Sequence, residues 1–226
     1  VVEGLGLPYL FVEGYEADDV LGTLAYQAAA MGQAPSPEPL EVVIVGNDHD
    51  LLQLVGRGVR VFMPKRGERA AVYYDEKKVF ETYGFTPKQM IDYKALRGDP
   101  SDNIPGVYGI GEKTALGLIR KFGSMEAIYK RIGEVEPLFG RRVAEKLAVG
   151  AEQAVLCKRL ATIVTDAPVK LNLKKAKFNG IDLPRGQKVL QAYGFKSLIK
   201  RLETGNGGVK GESKNKAENT GQLALL

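Results

Sequence analysis

Seven carboxylates fall into three close groups within the first 102 residues of this 226-residue chain. The groups are Glu16 with Asp18 and Asp19, Asp48 with Asp50, and Asp99 with Asp102. This supply of oxygen ligands suits Mg²⁺ or Mn²⁺, whereas one histidine and one cysteine are too few for a zinc site. Two such cations can hold a phosphodiester, ionise the attacking water and neutralise the leaving oxyanion. The carboxylates therefore predict a metal-dependent site that cuts a phosphodiester chain.

The elements around the three groups favour bringing them together. Val42–Val45 has the composition of a buried strand, so the second group follows its carboxyl end, where open α/β sheets bind ligands. Glu16 and Asp19 are one helical turn apart at a predicted helix start, and the third group repeats that spacing in a turn-rich stretch. Helix capping and solubility would explain any single group, but neither needs doubled carboxylates beside a buried strand.

The charge of the chain is divided unevenly. Residues 1–102 hold ten Lys and Arg against sixteen Asp and Glu, a net charge of −6, and residues 103–203 hold nineteen against nine, a net charge of +10. An enzyme that acts on a polyanion needs both parts, because one concentrates cations and the other binds the phosphate backbone. A basic helical segment can also be only a solvated face, and charge alone does not separate the two.

Glycines open the basic half at Gly106, Gly109 and Gly111, and Lys113 and Thr114 follow them. Glycine lets a backbone approach a phosphate closely, and the amides at a helix amino terminus bind anions. The pattern therefore predicts a backbone clamp for a nucleic-acid strand.

Two helices are predicted after these glycines. One carries apolar residues through Leu116 and Ile119, and a short second one runs from Ser124 as N-cap to Ile132. Together they indicate a helix-hairpin-helix arrangement. The competing motif, a nucleotide-binding P-loop, needs a lysine where Glu112 stands and a strand in front of the glycines, and the sequence offers neither.

Three stretches of the sequence resemble one known family. They are Glu16-Ala-Asp-Asp-Val-Leu-Gly, Asp48-His-Asp-Leu-Leu-Gln-Leu, and Gly98-Asp-Pro-Ser-Asp-Asn-Ile-Pro-Gly-Val-Tyr-Gly-Ile-Gly-Glu-Lys-Thr-Ala. They look like the 5′→3′ exonuclease (flap endonuclease-like) domain of bacterial DNA polymerase I. The resemblance covers roughly residues 1–203, and the last stretch is long and specific.

The resemblance implies the roles of the site residues. All seven carboxylates take metal-site roles for two Mg²⁺ or Mn²⁺ ions, with Asp48, Asp50 and Asp19 at the catalytic centre. The stretch from Gly106 to Thr114 forms a helix-three-turn-helix that grips the duplex downstream of a nick or flap, and this loop often holds K⁺ in the family. The implied fold is α/β, a PIN-like, Rossmann-like doubly wound core followed by a helical subdomain.

The sequence departs from the family pattern in two places. His49 stands between the two carboxylates of the second group, where a Lys or Arg is usual, and we interpret it as a solvated substitute. The family also begins with a strand bearing a metal-binding aspartate and with a basic helical arch, and neither precedes Glu16 here. We therefore expect an amino-terminally truncated piece with an incomplete core, which by itself could lack activity, and a strand over residues 5–14 before the first acidic helix.

The remaining elements follow from periodicity and turn signals. A pair of strands is predicted across residues 59–75 around a turn at residues 65–68, and a helix from Thr86 to Arg97. Helical periodicity continues over residues 141–165, where Cys157 is expected to pack in the core. Core positions are also predicted there at Val143, Leu147, Ala154, Val155, Leu156 and Leu160. Two short helices are predicted over residues 184–193 and 196–202.

The chain is predicted to contain three parts. Residues 1–97 form the carboxyl half of the nuclease core, residues 98–203 the helix-three-turn-helix subdomain, and residues 204–226 a disordered linker. The linker ends in a peptide that resembles the motif with which bacterial replication proteins dock on the sliding clamp. Its docking residues are Gln222, Leu223, Leu225 and Leu226.

These observations predict a structure-specific 5′ nuclease acting on DNA at 5′ ends and flaps in primer removal and repair. One alternative is a DNA-structure binding module that is catalytically silent. A PIN-like ribonuclease is another, although it would not explain the glycine hairpin. The sequence shows no signal peptide, membrane span or disulfide pair, so a cytoplasmic location is expected.

Overall fold

This computed structural model describes residues 1–32, 40–64, 70–178, 180 and 182–203. The chain divides into two compact units. Residues 12–169 make the larger unit, which holds the sheet and the first eight α-helices, and residues 1–11 with the chain from Lys170 on make the smaller one. No helix within the described ranges combines the length and the apolar character that crossing a membrane requires.

The larger unit contains a three-stranded mixed sheet in the order β1-β2-β3. β1 (Val42–Val45) is parallel to β2 (Val59–Met63), and β3 (Val72–Tyr74) pairs antiparallel with β2. Alternate side chains of β2 enter the core, where Val59 and Val61 are fully buried. The predicted strands are confirmed, and the predicted turn at residues 65–68 lies outside the described residues.

Helix α1 (Ala17–Gly32) packs on β1. It buries one stripe of side chains at helical spacing, namely Val20, Leu24, Ala25 and Ala28. A 3₁₀ helix (His49–Leu54) follows β1 and is anchored by Leu51, Leu52 and Leu54, which are at most 2% exposed. The polar residues at the start of this 3₁₀ helix are thereby held at the carboxyl end of the strand.

Helix α2 (Glu76–Tyr83) is capped by Asp75, whose Oδ1 accepts a hydrogen bond from the Lys78 amide at 2.7 Å. The helix predicted from Thr86 divides into a 3₁₀ turn (Pro87–Gln89) and α3 (Met90–Arg97). Helix α3 is the centre of the larger unit, because it contacts α4, α5, α8 and the 3₁₀ helix at His49–Leu54.

The helices after the glycines begin where the sequence indicates. α4 (Glu112–Phe122) starts after Gly111, and α5 (Met125–Lys130) is capped by Ser124, whose Oγ accepts from the Ala127 amide at 3.2 Å. The expected end of α5 at Ile132 is two residues too late, since a 3₁₀ turn over Ile132–Glu134 follows it. Short helix α6 (Val135–Phe139) then leads into the next pair.

The periodic stretch over residues 141–165 folds as two helices, α7 (Arg141–Val149) and α8 (Ala151–Leu160), separated at Gly150. Helix α8 packs on α3, and its fully buried residues are the small Ala154 and Cys157. Cys157 packs as predicted. The prediction of a core role was wrong for three larger residues, which are 49–61% exposed: Val155, Leu156 and Leu160. Small side chains let two helices approach closely, so the bulkier ones lie on the outer face.

The smaller unit contains a 3₁₀ turn (Glu3–Leu5) and the helices α9 (Leu173–Ala176), α10 (Leu183–Ala192) and α11 (Lys196–Glu203). The last two confirm the predicted terminal helices.

The strand expected over residues 5–14 is absent from the described residues, so that prediction was wrong. The start of this segment is bound by a helix instead of a strand. The Leu5 carbonyl accepts a hydrogen bond from the Asp182 amide at 3.2 Å, and the preceding Gly4 packs against Val189. A strand forms only when a neighbouring strand completes its hydrogen bonds.

Candidate functional site

The first acidic group lies at the start of α1. Glu16 precedes the helix, and its amide donates to Asp19 Oδ2 at 3.1 Å. Asp19 Oδ1 accepts from the amide of Val164, in the segment after α8, at 2.8 Å. Asp19 therefore ties the start of α1 to a distant segment, and acidic side chains in this first turn also suit the helix dipole.

The second group lies just past β1, as predicted. Asp48 is the N-cap of the following 3₁₀ helix, and its Oδ1 accepts from the Asp50 amide at 2.9 Å. His49 is exposed, and its Nδ1 lies 2.7 Å from the Tyr83 hydroxyl. Asp48 faces solvent, whereas the Asp50 side chain is only 13% exposed, so the two carboxylates occupy different environments.

The third group lies in a braced turn. Asp99 caps a 3₁₀ turn (Pro100–Asp102), and its Oδ1 accepts from both the amide and the hydroxyl of Ser101 at 3.0 and 2.5 Å. Asp99 and Ile104 exchange two backbone hydrogen bonds, of 2.8 and 2.9 Å. These hydrogen bonds within the turn therefore hold the Asp99 carboxylate in place.

Three of the predicted ligands meet. One carboxylate oxygen each from Asp50, Asp99 and Asp102 lies within 4.8 Å of the others, and we call this the acidic cluster. Oxygens on opposite sides of a bound Mg²⁺ are about 4.2 Å apart, so a small closure of the cluster would fit one divalent cation. Among the described residues this is the one group of three or more potential ligands at such spacing.

The other four predicted ligands, Glu16, Asp18, Asp19 and Asp48, are not part of that cluster. They are nevertheless close enough to affect one another. Burial, and after it the charges of Asp48, Glu16, Asp19 and Asp102, together raise the pKa of Asp18 to about 6. Asp18 thus marks a second acidic neighbourhood, which shares Asp102 with the first.

Lys94 is a site residue that the sequence interpretation missed. It lies on α3, is 3% exposed, and places its Nζ against Asp50 Oδ1 and 2.6 Å from Asp99 Oδ2. Burial raises the pKa of Asp99, but hydrogen bonds from Lys94 and Ser101 outweigh it, and the net pKa lies below its usual range. The pKa of Asp102 is raised, first by burial and then by Asp99. The sequence did contain one signal that Lys94 would be buried, because it lies one helical turn after the apolar Met90 and so on the same helix face.

The glycine loop, residues 104–111, packs its backbone against the segment that carries the third group. Gly106 has φ +67°, and a Cβ there would lie 2.3 Å from the Gly98 nitrogen. The Val107 amide donates to the Leu96 carbonyl at 2.9 Å. The loop therefore has a structural role, since it supports the turn next to the acidic cluster, in addition to the binding role that the sequence predicts for it.

Basic and aromatic side chains surround the end of the loop. Lys113 is exposed and Thr114 half-buried in the first turn of α4, while Lys146 of α7 donates to the Gly109 carbonyl at 3.0 Å. Tyr108 and Val149, both at least 90% exposed, border a surface groove of about 270 Å³. The predicted docking residues Gln222, Leu223, Leu225 and Leu226 lie outside the described residues.

Comparisons with known proteins agree with this architecture. A family model described as 5′-3′ exonuclease, N-terminal resolvase-like domain, matches residues 1–84, and one described as 5′-3′ exonuclease, C-terminal SAM fold, matches residues 85–184. DNA polymerase I of Bacillus caldotenax is 40% identical over 198 residues, which are 88% of this chain and 21% of that protein. The chain thus spans about one fifth of the length of this relative.

Two solved structures share the fold. The T5 5′-exonuclease with bound divalent zinc ions has a TM-score of 0.56 and 26% identity, over 70% of this chain and 54% of that one. The catalytic core of Rad2 in complex with a DNA substrate has a TM-score of 0.54 at 15% identity, over 84% and 61%, a likeness of fold alone. The predicted fold class, an α/β core followed by a helical region, is confirmed. With both of its halves matched in order by models of one family, the chain belongs to the 5′-3′ exonucleases.

Proposed function

We propose that this chain is a Mg²⁺-dependent, structure-specific 5′ nuclease that hydrolyses DNA phosphodiesters at 5′ ends and flaps during primer removal and repair. The observation that carries the proposal is the acidic cluster held beside the glycine loop within one compact unit. A substrate strand bound by the loop would lie near carboxylates able to bind metal. DNA as the substrate also favours a cytoplasmic location.

The carboxylates have separate tasks in this proposal. Asp50, Asp99 and Asp102 would hold one Mg²⁺ or Mn²⁺, and Glu16, Asp18, Asp19 and Asp48 supply oxygens for a second. When bound, such ions polarise the phosphodiester and lower the pKa of the attacking water. The catalytic assignments Asp48, Asp50 and Asp19 remain proposals. Asp19 has a backbone donor on each carboxylate oxygen, so its first effect is to orient the helix start.

The glycine loop and the helices after it would hold the DNA. The amides before α4 are suited to a phosphate, and Gly111, where a Cβ would meet nothing within 4 Å, leaves that helix start open to a strand. Gly106 and Gly109, where a Cβ would meet Gly98 and Lys146, give the loop the shape that presents those amides. Lys113 and Thr114 add contacts to the backbone of the duplex without reading its sequence. A K⁺ ion bound by loop carbonyls is part of the proposal, as are the limits 1–97 and 98–203 for the two functional parts.

The test is cleavage of a 5′-flap duplex in Mg²⁺, beside binding of the same duplex in Ca²⁺. We expect cleavage that stops when the metal is chelated, together with binding in Ca²⁺. Binding without any cleavage is the result expected of a catalytically silent DNA-structure module and would contradict the nuclease proposal. Cleavage of single-stranded RNA in preference to the flap would favour a ribonuclease.

We also propose that the carboxyl-terminal peptide docks on a sliding clamp. Its three leucines could enter an apolar groove while Gln222 bonds the rim, and their burial would contribute about 5 kcal/mol before ordering costs, enough for micromolar docking. The peptide ends in Leu226 where the motif has phenylalanine, so the affinity should be reduced. Titration of a labelled peptide of residues 219–226 against the clamp tests this. Absence of saturable binding below about 1 mM would exclude it.

A further inference from the structure

Binding of a metal by the acidic cluster does not by itself require a lysine at position 94. Lys94 belongs to α3, between the buried neighbours Tyr93 and Ala95, and its side chain is 4% exposed. A buried ammonium is costly unless it is paired, and here its partners are Asp50 and Asp99, each 13% exposed. These partners are two of the three members of the acidic cluster.

The arrangement has two physical consequences. Two carboxylates at ligand spacing repel each other when no cation is present, and the ammonium between them removes that repulsion. When a divalent cation binds the same oxygens, the ammonium lies a few ångströms from a second positive charge that water screens poorly. The same side chain thus stabilises the cluster before the metal binds and opposes the metal afterwards.

We propose that Lys94 is a positioning residue that acts as a built-in counter-cation: it holds Asp50 and Asp99 in place in the metal-free protein and limits how tightly a divalent cation binds there. The proposal rests on the proposed metal dependence of the cluster. Its consequence is a weaker, exchangeable metal at this end of the site, while the carboxylates stay organised without it.

Lys94→Met tests the proposal, because methionine keeps an unbranched side chain of similar length and removes the charge. Mn²⁺ binding to the intact chain is measured from the free-ion signal in electron paramagnetic resonance, without any nuclease assay. We expect about tenfold tighter binding in Lys94→Met and a change of less than about twofold in Lys94→Arg, which keeps the charge. Unchanged or weaker binding in Lys94→Met overturns the proposal.

Thermal unfolding with and without Mn²⁺ separates a charge role from a packing role. Lys94→Met should lower Tm in EDTA, since Asp50 and Asp99 are then unpaired, and saturating Mn²⁺ should recover most of the loss. The double variant Lys94→Met with Asp50→Asn leaves Asp99 as the one carboxylate of the former pair, and Asp99 still accepts hydrogen bonds from Ser101. Its Tm in EDTA should therefore return close to that of the wild type. A double variant as unstable as the single one, or a loss that Mn²⁺ does not recover, would show that Lys94 only packs.

The wild-type titration separates this inference from the proposed function. Wild-type protein that binds Mn²⁺ while Lys94→Met binds it equally well removes the counter-cation role alone. Wild-type protein that binds no Mn²⁺ below about 10 mM removes the metal site and the inference with it. Should Lys94→Met fail to fold even with Mn²⁺, the double variant decides, because only a charge role predicts that it folds.

Discussion

The acidic cluster and the glycine loop lie next to each other but are built in opposite ways. The cluster is made of side chains from separate segments, Asp50 after β1 and Asp99 with Asp102 after α3, and the buried Lys94 balances their charge. In the loop, the contacts are made by backbone atoms, and Gly106 packs directly on Gly98. Charge therefore decides what the cluster can do, whereas the absence of a Cβ decides what the loop can do.

The largest effect is expected from removing carboxylates at the site. Asp48→Ala with Asp50→Ala should lower flap cleavage at least about 10³-fold, because in the proposed function these side chains would supply metal ligands on the side of β1. Flap binding in Ca²⁺ should change little, since the basic half would supply most of the affinity. Single-turnover cleavage and a binding titration measure the two quantities.

The control for that double variant is Glu81→Ala, which removes an exposed carboxylate of α2 that pairs with Lys78 and belongs to none of the three acidic groups. It should cleave like the wild type. Residual activity of the double variant within about tenfold of the parent would exclude Asp48 and Asp50 from metal binding.

Substitution of one glycine should break the loop while leaving every charge in place. In Gly106→Ala the new Cβ would meet the Gly98 nitrogen at 2.3 Å with φ at +67°, so we expect a loss of about 3 kcal/mol or more, which lowers Tm by roughly 10 °C. Gly111→Ala is the matched control, since a Cβ there meets nothing within 4 Å. Calorimetry showing equal stability for the two variants would contradict a backbone role for Gly106.

A smaller effect is expected from Lys113, a single basic side chain at the proposed DNA-binding loop. Lys113→Ala should weaken binding of all duplex sequences alike by about threefold to tenfold and lower the slope of log affinity against log salt by about 1. Lys77→Ala, at an 84% exposed side chain on α2, removes the same charge away from the loop and should leave both quantities unchanged. A loss that depends on sequence would show that Lys113 does more than contact phosphate.

The smallest effect concerns the pH dependence of stability. The pKa of Asp18 is raised from 3.8 to about 6 in the folded protein, so the folded state holds this proton more tightly than the unfolded chain does. The ionised carboxylate is therefore destabilising above about pH 6, and the penalty decreases as the pH falls through 6 toward 3.8. Asp18→Asn should stabilise the metal-free protein by about 1 kcal/mol at pH 8, allowing for solvent screening, and by nothing below the lower value.

Urea unfolding in EDTA at both pH values measures this difference. The exposed Asp166→Asn serves as the control for loss of a carboxylate. A gain in stability for Asp18→Asn that does not vary with pH would contradict its origin in a carboxylate that is partly buried and close to other negative charges.

Capping residues and glycines in the sequence were sufficient to predict where some helices begin. Ser124 begins α5 and Gly111 precedes α4, because capping and glycine conformations act within one turn of the chain. The apolar run at β1 was equally clear. Such signals failed for α8, where periodicity marks an apolar side chain but does not say which face another helix will cover, and Val155 proved exposed.

The family, the acidic residue types and the glycine loop could be predicted from the sequence, because each is carried by a short run of neighbouring residues. Which carboxylates meet could not be predicted, because that depends on how distant segments pack. Asp50 and Asp99 are far apart in the chain, and their contact depends on packing α3 against the segment after β1. The same packing buries Lys94 between them, and a lysine whose partners lie outside its own helix leaves no periodic signal that names them.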